Sequence, residues 1–302
     1  MTYTTDNRMN RMLINKDKLR EFSEKNDIIP SLVIMTEWVI ISSIFFISVS
    51  LQHWAIYLVG AIIMSTRLYA FQSLSHEACH YHLHSNKKTN EVIAHLLVTW
   101  PIFVHLDTMR KAHLTHHRHL QTEKDPEVKH LDYPEFQIPL SKKQFLTICL
   151  KDLSGFNFVK YRWKKLPKTI LMQDLPPLQR LFYTFLFLTL LYFNLLLPAI
   201  VLWLIPYMTI YQLLNRIRLY YEHFNLNKNK EHPLRTLHLS RLGAFFLAPY
   251  SLGYHAEHHL FPGIPFYNLP QLHKIISRNN RYSHSIELET NYLKMISKII
   301  KT

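Results

Sequence analysis

The amino-acid sequence predicts an all-α integral membrane protein, with four transmembrane helices in two hairpins and a helical cytoplasmic cap. Three observations support this fold class. Two long apolar blocks contain neither Lys nor Arg, all 35 basic residues lie outside those blocks, and three groups of histidines have helical spacing.

The two apolar blocks are each too long for one membrane crossing. Ile28–Thr66 has 39 residues and one charged side chain, Glu37, and Leu181–Asn215 has 35 residues and none. As single helices they would be about 58 and 52 Å long, against a hydrocarbon core of about 30 Å. Each block is therefore predicted to be a hairpin. The expected breaks are Ser50, Gln52 and His53 in the first block, and Asn194 and Pro198 in the second.

The distribution of basic residues predicts the topology. Residues 1–27 contain six, residues 67–180 contain 17 and residues 216–302 contain 12. The positive-inside rule places all three segments in the cytoplasm. We therefore expect a single integral-membrane domain, 1–302, in the cell (inner) membrane, with membrane lipids rather than nucleic acid as its partners. The absence of an early short apolar core predicts no cleavable signal peptide, and the two cysteines exclude a thiolate zinc site.

Three histidine segments have the spacing of metal ligands, and we call them boxes. Box 1 contains His76 and His80; box 2 contains His113, His116 and His117; box 3 contains His255, His258 and His259. Residues at i, i+3 and i+4 share one helix face, so each box points its imidazoles in one direction. Imidazole suits iron, copper, nickel and zinc, and eight imidazoles are enough for two ions. Convergence of the boxes requires that each apolar block cross the membrane an even number of times.

The other histidines are interpreted differently. His223, where the last transmembrane helix is expected to end, is either a further ligand or an interfacial residue. His82 and His84 are predicted to lie in a solvated loop, His119 on the wrong helix face, and His53 at a hairpin tip. The remaining histidines have no partner at a useful spacing, namely His95, His105, His130, His232, His238, His273 and His284.

Four carboxylates lie in or near the boxes or beside His223. A shell made only of imidazoles is neutral, so nearby carboxylates would offset the charge of the metal ions and orient the rings through their other N–H groups. The alternative is that these are solvated acids. The candidates are Glu77, Asp125, Glu222 and Glu257. Glu37 is a separate intramembrane carboxylate.

From about Ile28 to Ile275 the chain resembles the membrane-bound fatty acid desaturase family. The segment Arg110–His119, with Thr122 and Asp125-Pro126 after it, is similar to the second box of that family. Tyr254–Pro270 is similar to the third box in its bacterial acyl-chain form. Tyr81 departs from the family, in which a small residue often follows the first box, and His255 replaces the glutamine of front-end desaturases.

The resemblance implies a non-haem di-iron centre in the cytoplasmic cap, held by the three boxes and His223. The implied reaction is O₂-dependent desaturation of a fatty acyl chain or lipid, with two electrons from a separate donor such as a ferredoxin-like protein. A hydroxylase, ketolase or decarboxylase acting on a lipid or terpenoid is the alternative. Zinc would fit the ligands without redox chemistry. A non-enzymatic metal-binding or transport protein is a more remote possibility, since His53 is the only histidine in the two apolar blocks.

Two further segments have predicted surface roles. Cations interleaved with aromatic residues indicate a membrane-interface belt, or alternatively a dock for an acidic electron donor. They are Phe158, Tyr161, Arg162, Trp163, Lys164, Lys165 and Lys168. The segment from Ile286 to Ile300 is predicted to be an amphipathic helix, packed on the cytoplasmic cap or lying on the membrane.

Overall fold

The computed structural model describes residues 13–128, 133–162, 175–223 and 234–301, without the side chains of Arg162 and His223. The described chain is mostly helical. The α-helices are Lys16–Ser23, Ile28–Leu51, Trp54–Cys79, Lys87–Ile93, Leu106–His119, Lys142–Leu153, Phe156–Arg162, Pro177–Tyr192, Leu196–Ala199, Ile205–Met208, Ile210–His223, Arg241–Leu247, His255–Leu260, Leu269–Ile276, Asn280–Ser285 and Tyr292–Ile299. Single turns of 3₁₀-helix (Trp100–Ile102, Pro134–Phe136) and of π-helix (Ala94–Thr99, Ile200–Leu204) interrupt or extend them.

Three helices in the described residues are long and apolar enough to cross a membrane: Ile28–Leu51, Trp54–Cys79 and the broken helix Leu196–Glu222. The helices Lys87–Ile102 and Leu106–His119 would make a fourth only if this pair, bent by 93°, counted as one span. The fourth span expected from the sequence corresponds to Pro177–Tyr192, which has 16 residues. About 20 residues are needed to cross the hydrocarbon core. The four-span hairpin topology therefore stays a prediction.

The breaks within both apolar blocks occur where the sequence predicts them. Gln52 separates the first two long helices and has a left-handed backbone, with φ of 48°. Asn194 separates the helices of the second block and has φ of 55°. Asparagine tolerates this conformation better than most residues because its short polar side chain bonds locally. Helix Trp54–Cys79, however, continues 13 residues beyond Thr66, the predicted end of the first hairpin.

The chain forms two compact units. One comprises Thr36–Tyr69 and Leu146–Asn215. Within it, a Cβ atom at Gly60 would lie 3.1 Å from side-chain atoms of Ile44 and Ser48, so glycine allows neighbouring helices to approach closely. The indole rings of Trp38 and Trp203 stack with centroids 6.0 Å apart in the same unit.

The other unit comprises the described parts of Met1–Met35, Ala70–Phe145 and Arg216–Thr302, and it contains all three boxes. An apolar core supports the helix of box 3, His255–Leu260. Its buried members include Phe22, Ala256, Leu260, Leu269, Leu272, Ile276 and Ile286. Since box 3 has only six helical residues, this packing and not helix propagation holds it in place.

A short parallel strand pair lies beside box 3. Arg235–Leu237 pairs with Glu287–Glu289, and the amide of Leu237 donates to the carbonyl of Gly253 (2.8 Å). The predicted C-terminal amphipathic helix is therefore shorter than expected, because the segment begins as a strand and only Tyr292–Ile299 is helical. Met295 and Ile299 are buried and Leu293 is exposed.

Candidate metal centre

All three boxes contribute to a group that we call the five-histidine cluster, composed of His76, His80, His113, His117 and His258. One ring nitrogen from each lies within 4.8 Å of all the others. The helix Trp54–Cys79 carries His76, and His80 follows its last residue. His113 and His117 lie one turn apart on the helix Leu106–His119. Side chains that share a helix face within their own box therefore also meet side chains from the other boxes.

A second group, the three-histidine cluster, joins box 2 to box 3. It is composed of His116, His255 and His259, all buried, whose ring nitrogens also lie within 4.8 Å of one another. The Nε2 atoms of His116 and His259 are 3.2 Å apart. Because His116 and His117 are adjacent, the helix of box 2 contributes to both clusters.

The nitrogens of the five-histidine cluster are arranged as ligands of a cation rather than as hydrogen-bonding partners. The Nε2 atom of His113 lies 2.8 Å from that of His80 and 2.9 Å from that of His117, whose own Nε2 lies 2.9 Å from that of His258. One ring nitrogen has either one proton or one lone pair, so it cannot satisfy two such neighbours well. With metal–nitrogen bonds of about 2.1 Å, ligands at right angles would be about 3.0 Å apart.

An orphaned nitrogen supports the same interpretation. The Nε2 atom of His76 is buried and has no hydrogen-bond partner in the described part of the chain, while its Nδ1 lies 3.3 Å from Glu77. A buried nitrogen without a partner is costly unless a group that is not part of the polypeptide, such as a metal ion, binds it. The donor set therefore fits a pair of imidazole-ligated transition-metal ions.

Burial keeps the rings in the form that binds metal. It lowers the pKa of His80 to about 3, with the nearby ring of His76 contributing in the same direction. Burial and the same neighbour hold the pKa of His258 well below its usual value. Both rings are therefore neutral at physiological pH, and only neutral imidazole has a lone pair for a metal ion.

Two of the predicted carboxylates hydrogen-bond to box histidines. Asp125 binds Nδ1 of His116 with both oxygens, at 2.9 and 3.0 Å, and is itself fixed by the amides of Gln121 and Glu127. Such a contact sets the tautomer, leaving Nε2 of His116 to face the cluster. Glu77 lies beside Nδ1 of His76 in the same way.

Glu77 also has a partner that sequence analysis missed. Its second oxygen accepts from the amide of Phe266 (3.1 Å) and lies 3.0 Å from Nδ1 of His82. The prediction that His82 lies in a solvated loop is wrong, since the residue is only 2% exposed. No periodic signal marks it, because its burial comes from the turn that follows box 1. His84 is partly exposed and lies 3.6 Å from Asp27.

The other two predicted carboxylates differ from each other. Glu222 accepts from Nε of Arg218 (2.7 Å) and lies 3.7 Å from Nδ1 of His255, so it is close to the three-histidine cluster. Glu257 instead points away from the boxes. Its carboxylate binds the side chains of His273, Tyr282 and Thr236.

The contacts of Glu257 correct one prediction, because its carboxylate binds no box histidine among the described residues. His273, which has no partner at a useful helical spacing, is buried and bound to it. These partners are separated from Glu257 by 16, 25 and 21 residues. Short-range spacing could not have identified them, because they come together only when the apolar core around box 3 forms.

A small cleft, with room for about one water molecule, adjoins both clusters. Its walls include His76 and His258 of the five-histidine cluster and His255 of the three-histidine cluster, together with Ser73, Glu77, Tyr250, Ser251, Leu252 and Leu269. Tyr250 and Ser251 are consecutive residues with left-handed backbones, at φ of 53° and 60°. Such conformations are rare for residues other than glycine and are frequent at functional sites.

Eight of the nine predicted ligands therefore converge in two groups. The ninth, His223, ends the helix Ile210–His223, and its side chain lies outside the described residues. Also outside them are His130, His232 and most of the predicted basic belt, including Lys164, Lys165 and Lys168. His53 is exposed at the break between the first two long helices, as expected.

Helices able to span a membrane and two groups of side chains able to hold metal ions define the class of this protein. Residues 52–288 match the family described as fatty acid desaturase. Because the match covers most of the chain, the protein belongs to the fatty acid desaturase family. It is also similar to the dihydrorhizobitoxine desaturase of Bradyrhizobium elkanii, with 27% identity over 251 residues, covering 76% of this chain and 70% of that protein. The resemblance inferred from the boxes is thereby confirmed.

Proposed function

We propose that this protein is an oxidoreductase that introduces a carbon–carbon double bond into a fatty acyl chain, with O₂ as oxidant and two iron ions as cofactor. The observation that supports this most strongly is the convergence of eight box imidazoles in a chain of the desaturase family. The balanced reaction converts –CH₂–CH₂–, O₂, two electrons and two protons into –CH=CH– and two water molecules.

The iron pair would supply the oxidising power, since an unactivated methylene offers no handle for acid–base or nucleophilic chemistry. The five-histidine cluster would hold one ion and the three-histidine cluster the other. His223 remains a proposed ninth ligand, implied by the family resemblance. Asp125 and Glu77 orient His116 and His76, and together with Glu222 they place negative charge beside the two groups of neutral imidazoles.

The reacting methylenes are proposed to approach the clusters at the cleft beside His76, His255 and His258, because its walls belong to both clusters. Aliphatic and hydroxyl side chains there would position the chain mainly by shape. The similar bacterial protein is named for dihydrorhizobitoxine, so that similarity supports desaturation and not a particular acyl carrier.

We further propose that the site faces the cytoplasm of a bacterial-type inner membrane and receives electrons from a separate ferredoxin-like carrier. The confinement of basic residues to three segments outside the apolar blocks supports this orientation. A basic cytoplasmic face would also attract an acidic carrier.

The decisive experiment is expression in a host of known lipid composition, followed by mass spectrometry of the acyl chains. We expect wild-type protein to yield chains lacking two hydrogen atoms, His258→Ala to abolish them, and the exposed control His284→Ala to leave them unchanged. A gain of one oxygen atom would instead establish the hydroxylase alternative. Purified wild-type protein without iron would contradict the proposal.

A further inference from the structure

The helix that carries box 1 ends in an unusual way. Beyond Cys79, the amide of Tyr81 donates to the carbonyl of Ala78 and that of His82 to the carbonyl of Glu77, both at 3.1 Å. This pattern is a Schellman motif, in which the left-handed residue is usually glycine. Here that residue is Tyr81, with φ of 60°. The turn determines where the imidazole of His80 lies, because His80 follows the last residue of the helix.

A side chain from the helix of box 2 binds this turn. The guanidinium of Arg110 donates to the carbonyls of Ala78 (3.0 Å) and Cys79 (3.2 Å). These carbonyls belong to the last helical turn, whose acceptors have no partner within the helix itself. Arg110 thus caps a helix other than its own.

Three further residues contact the guanidinium. Both oxygens of Glu91 accept from Arg110, at 2.6 and 3.2 Å, and Asp107 lies 3.6 Å away. The guanidinium carbon also lies 4.3 Å from the centre of the Tyr81 ring, where a cation is attracted by the π electrons. Only a planar group with several donors can make all these contacts together, so lysine is not an equivalent replacement.

The position of Arg110 in its helix links these contacts to the metal centre. Arg110, His113 and His117 lie at i, i+3 and i+7, hence on one helix face. Nε2 of His80 lies 2.8 Å from that of His113. We infer that Arg110, held by Glu91 and stacked on Tyr81, is a positioning residue that fixes His80 against His113 and His117 for metal binding. This inference rests on the proposed function, since it assigns the role through the five-histidine cluster.

The test uses Co²⁺ as the probe, because its visible d–d absorption reports ligand number and geometry independently of turnover. Full-length protein in detergent is stripped of metal by chelation and titrated with Co²⁺. We expect wild type to bind two ions. Arg110→Met should bind one of them about 10–100-fold more weakly, with altered d–d bands. Lys111→Met, which removes an exposed positive charge from the adjacent position of the same helix, is the matched control and should match wild type.

Two milder variants keep the test informative if Arg110→Met does not fold. Arg110→Lys keeps a positive charge at position 110, whereas Glu91→Gln keeps Arg110 and removes the carboxylate that holds it. Each variant should weaken Co²⁺ binding, as Arg110→Met does. In the double variant Glu91→Gln/Arg110→Lys, the free energy of Co²⁺ binding that is lost should be smaller than the sum of the losses in the two single variants, because the two residues act as one unit.

Wild-type affinity and spectrum in the Arg110 and Glu91 variants would overturn the inference while leaving the proposed function intact. An equal loss of Co²⁺ affinity in Lys111→Met would also overturn it, because removal of any positive charge from this helix would then explain the effect. Wild-type protein that takes up no Co²⁺ would overturn the proposed function and the inference together.

Discussion

The guanidinium of Arg67 donates to the carboxylate of Glu37 at 2.9 Å, and both side chains are completely buried. The two residues lie on consecutive long helices, 30 positions apart. A charge buried without its partner is costly, whereas a paired charge can be replaced together with its partner at small cost. Disrupting this pair therefore tests how these two helices pack against each other.

We predict that Glu37→Gln and Arg67→Met each destabilise the protein by about 3–5 kcal/mol. The double variant Glu37→Gln/Arg67→Met should be more stable than either single variant, because no unpaired charge is then left buried. The measurement is thermal unfolding in detergent. If the loss of stability in the double variant equals the sum of the losses in the two single variants, the two side chains do not act as a pair.

The same pair explains why helix Trp54–Cys79 continues past Thr66, the predicted end of the first hairpin. Arg67 is the first basic residue after the apolar block, and the sequence predicts that the hairpin ends just before it. Because Glu37 neutralises it inside the packed helices, the charge does not end the helix, which continues to Cys79. Hydropathy cannot distinguish a buried ion pair from a charge at the membrane surface, since that distinction depends on a partner distant in sequence.

Asp125 is expected to support metal binding through His116. We predict that Asp125→Asn weakens binding of one metal ion about 10–100-fold, because the amide cannot fix the ring tautomer as the carboxylate does. Isothermal titration of metal-stripped protein would measure this. The matched control is Glu123→Gln, an exposed acid in the same turn region, and an equal loss there would contradict the prediction.

The histidine boxes were predictable because their chemistry is encoded at helical spacing within five residues. The eight imidazoles converge as expected, and the helix breaks at Gln52 and Asn194 were also foreseen. His82, His273 and Arg110 were not assigned their roles, because each acts through atoms on another segment of the chain. Local periodicity indicates which side chains share a face, but it does not indicate which carboxylate or carbonyl will meet them.

Gly253 lies two residues before box 3 in a tightly packed turn. A Cβ atom there would lie 2.2 Å from the carbonyl oxygen of Leu237, a backbone atom in the strand pair. We predict that Gly253→Ala costs about 1–3 kcal/mol or more, since backbone must move to accommodate it. It should also reduce bound iron, because the same turn leads into His255.

Gly263 provides the control for this prediction. Apart from its two chain neighbours, no atom of the described residues lies within 4 Å of a Cβ built at that position. Gly263→Ala should therefore leave both the unfolding temperature and the iron content close to wild type. Equal behaviour of the two alanine variants would show that the contact with Leu237 does not constrain the turn.

The charged groups around the parallel strand pair should make stability depend on pH. Burial raises the pKa of Glu287 and Glu289, but hydrogen bonds from Lys298 outweigh it and hold both pKa values below the usual 4.5. The unfolded chain then binds more protons in mild acid, so this stabilisation is present above about pH 4.5 and is lost as the pH falls through the folded-state pKa values. We predict that Lys298→Met lowers the unfolding temperature at pH 7, and that its difference from wild type shrinks towards pH 3. Lys294→Met, an exposed substitution in the same helix, should show little difference at either pH. A deficit in Lys298→Met that stays constant across this range would mean that lost packing, and not these carboxylates, is responsible.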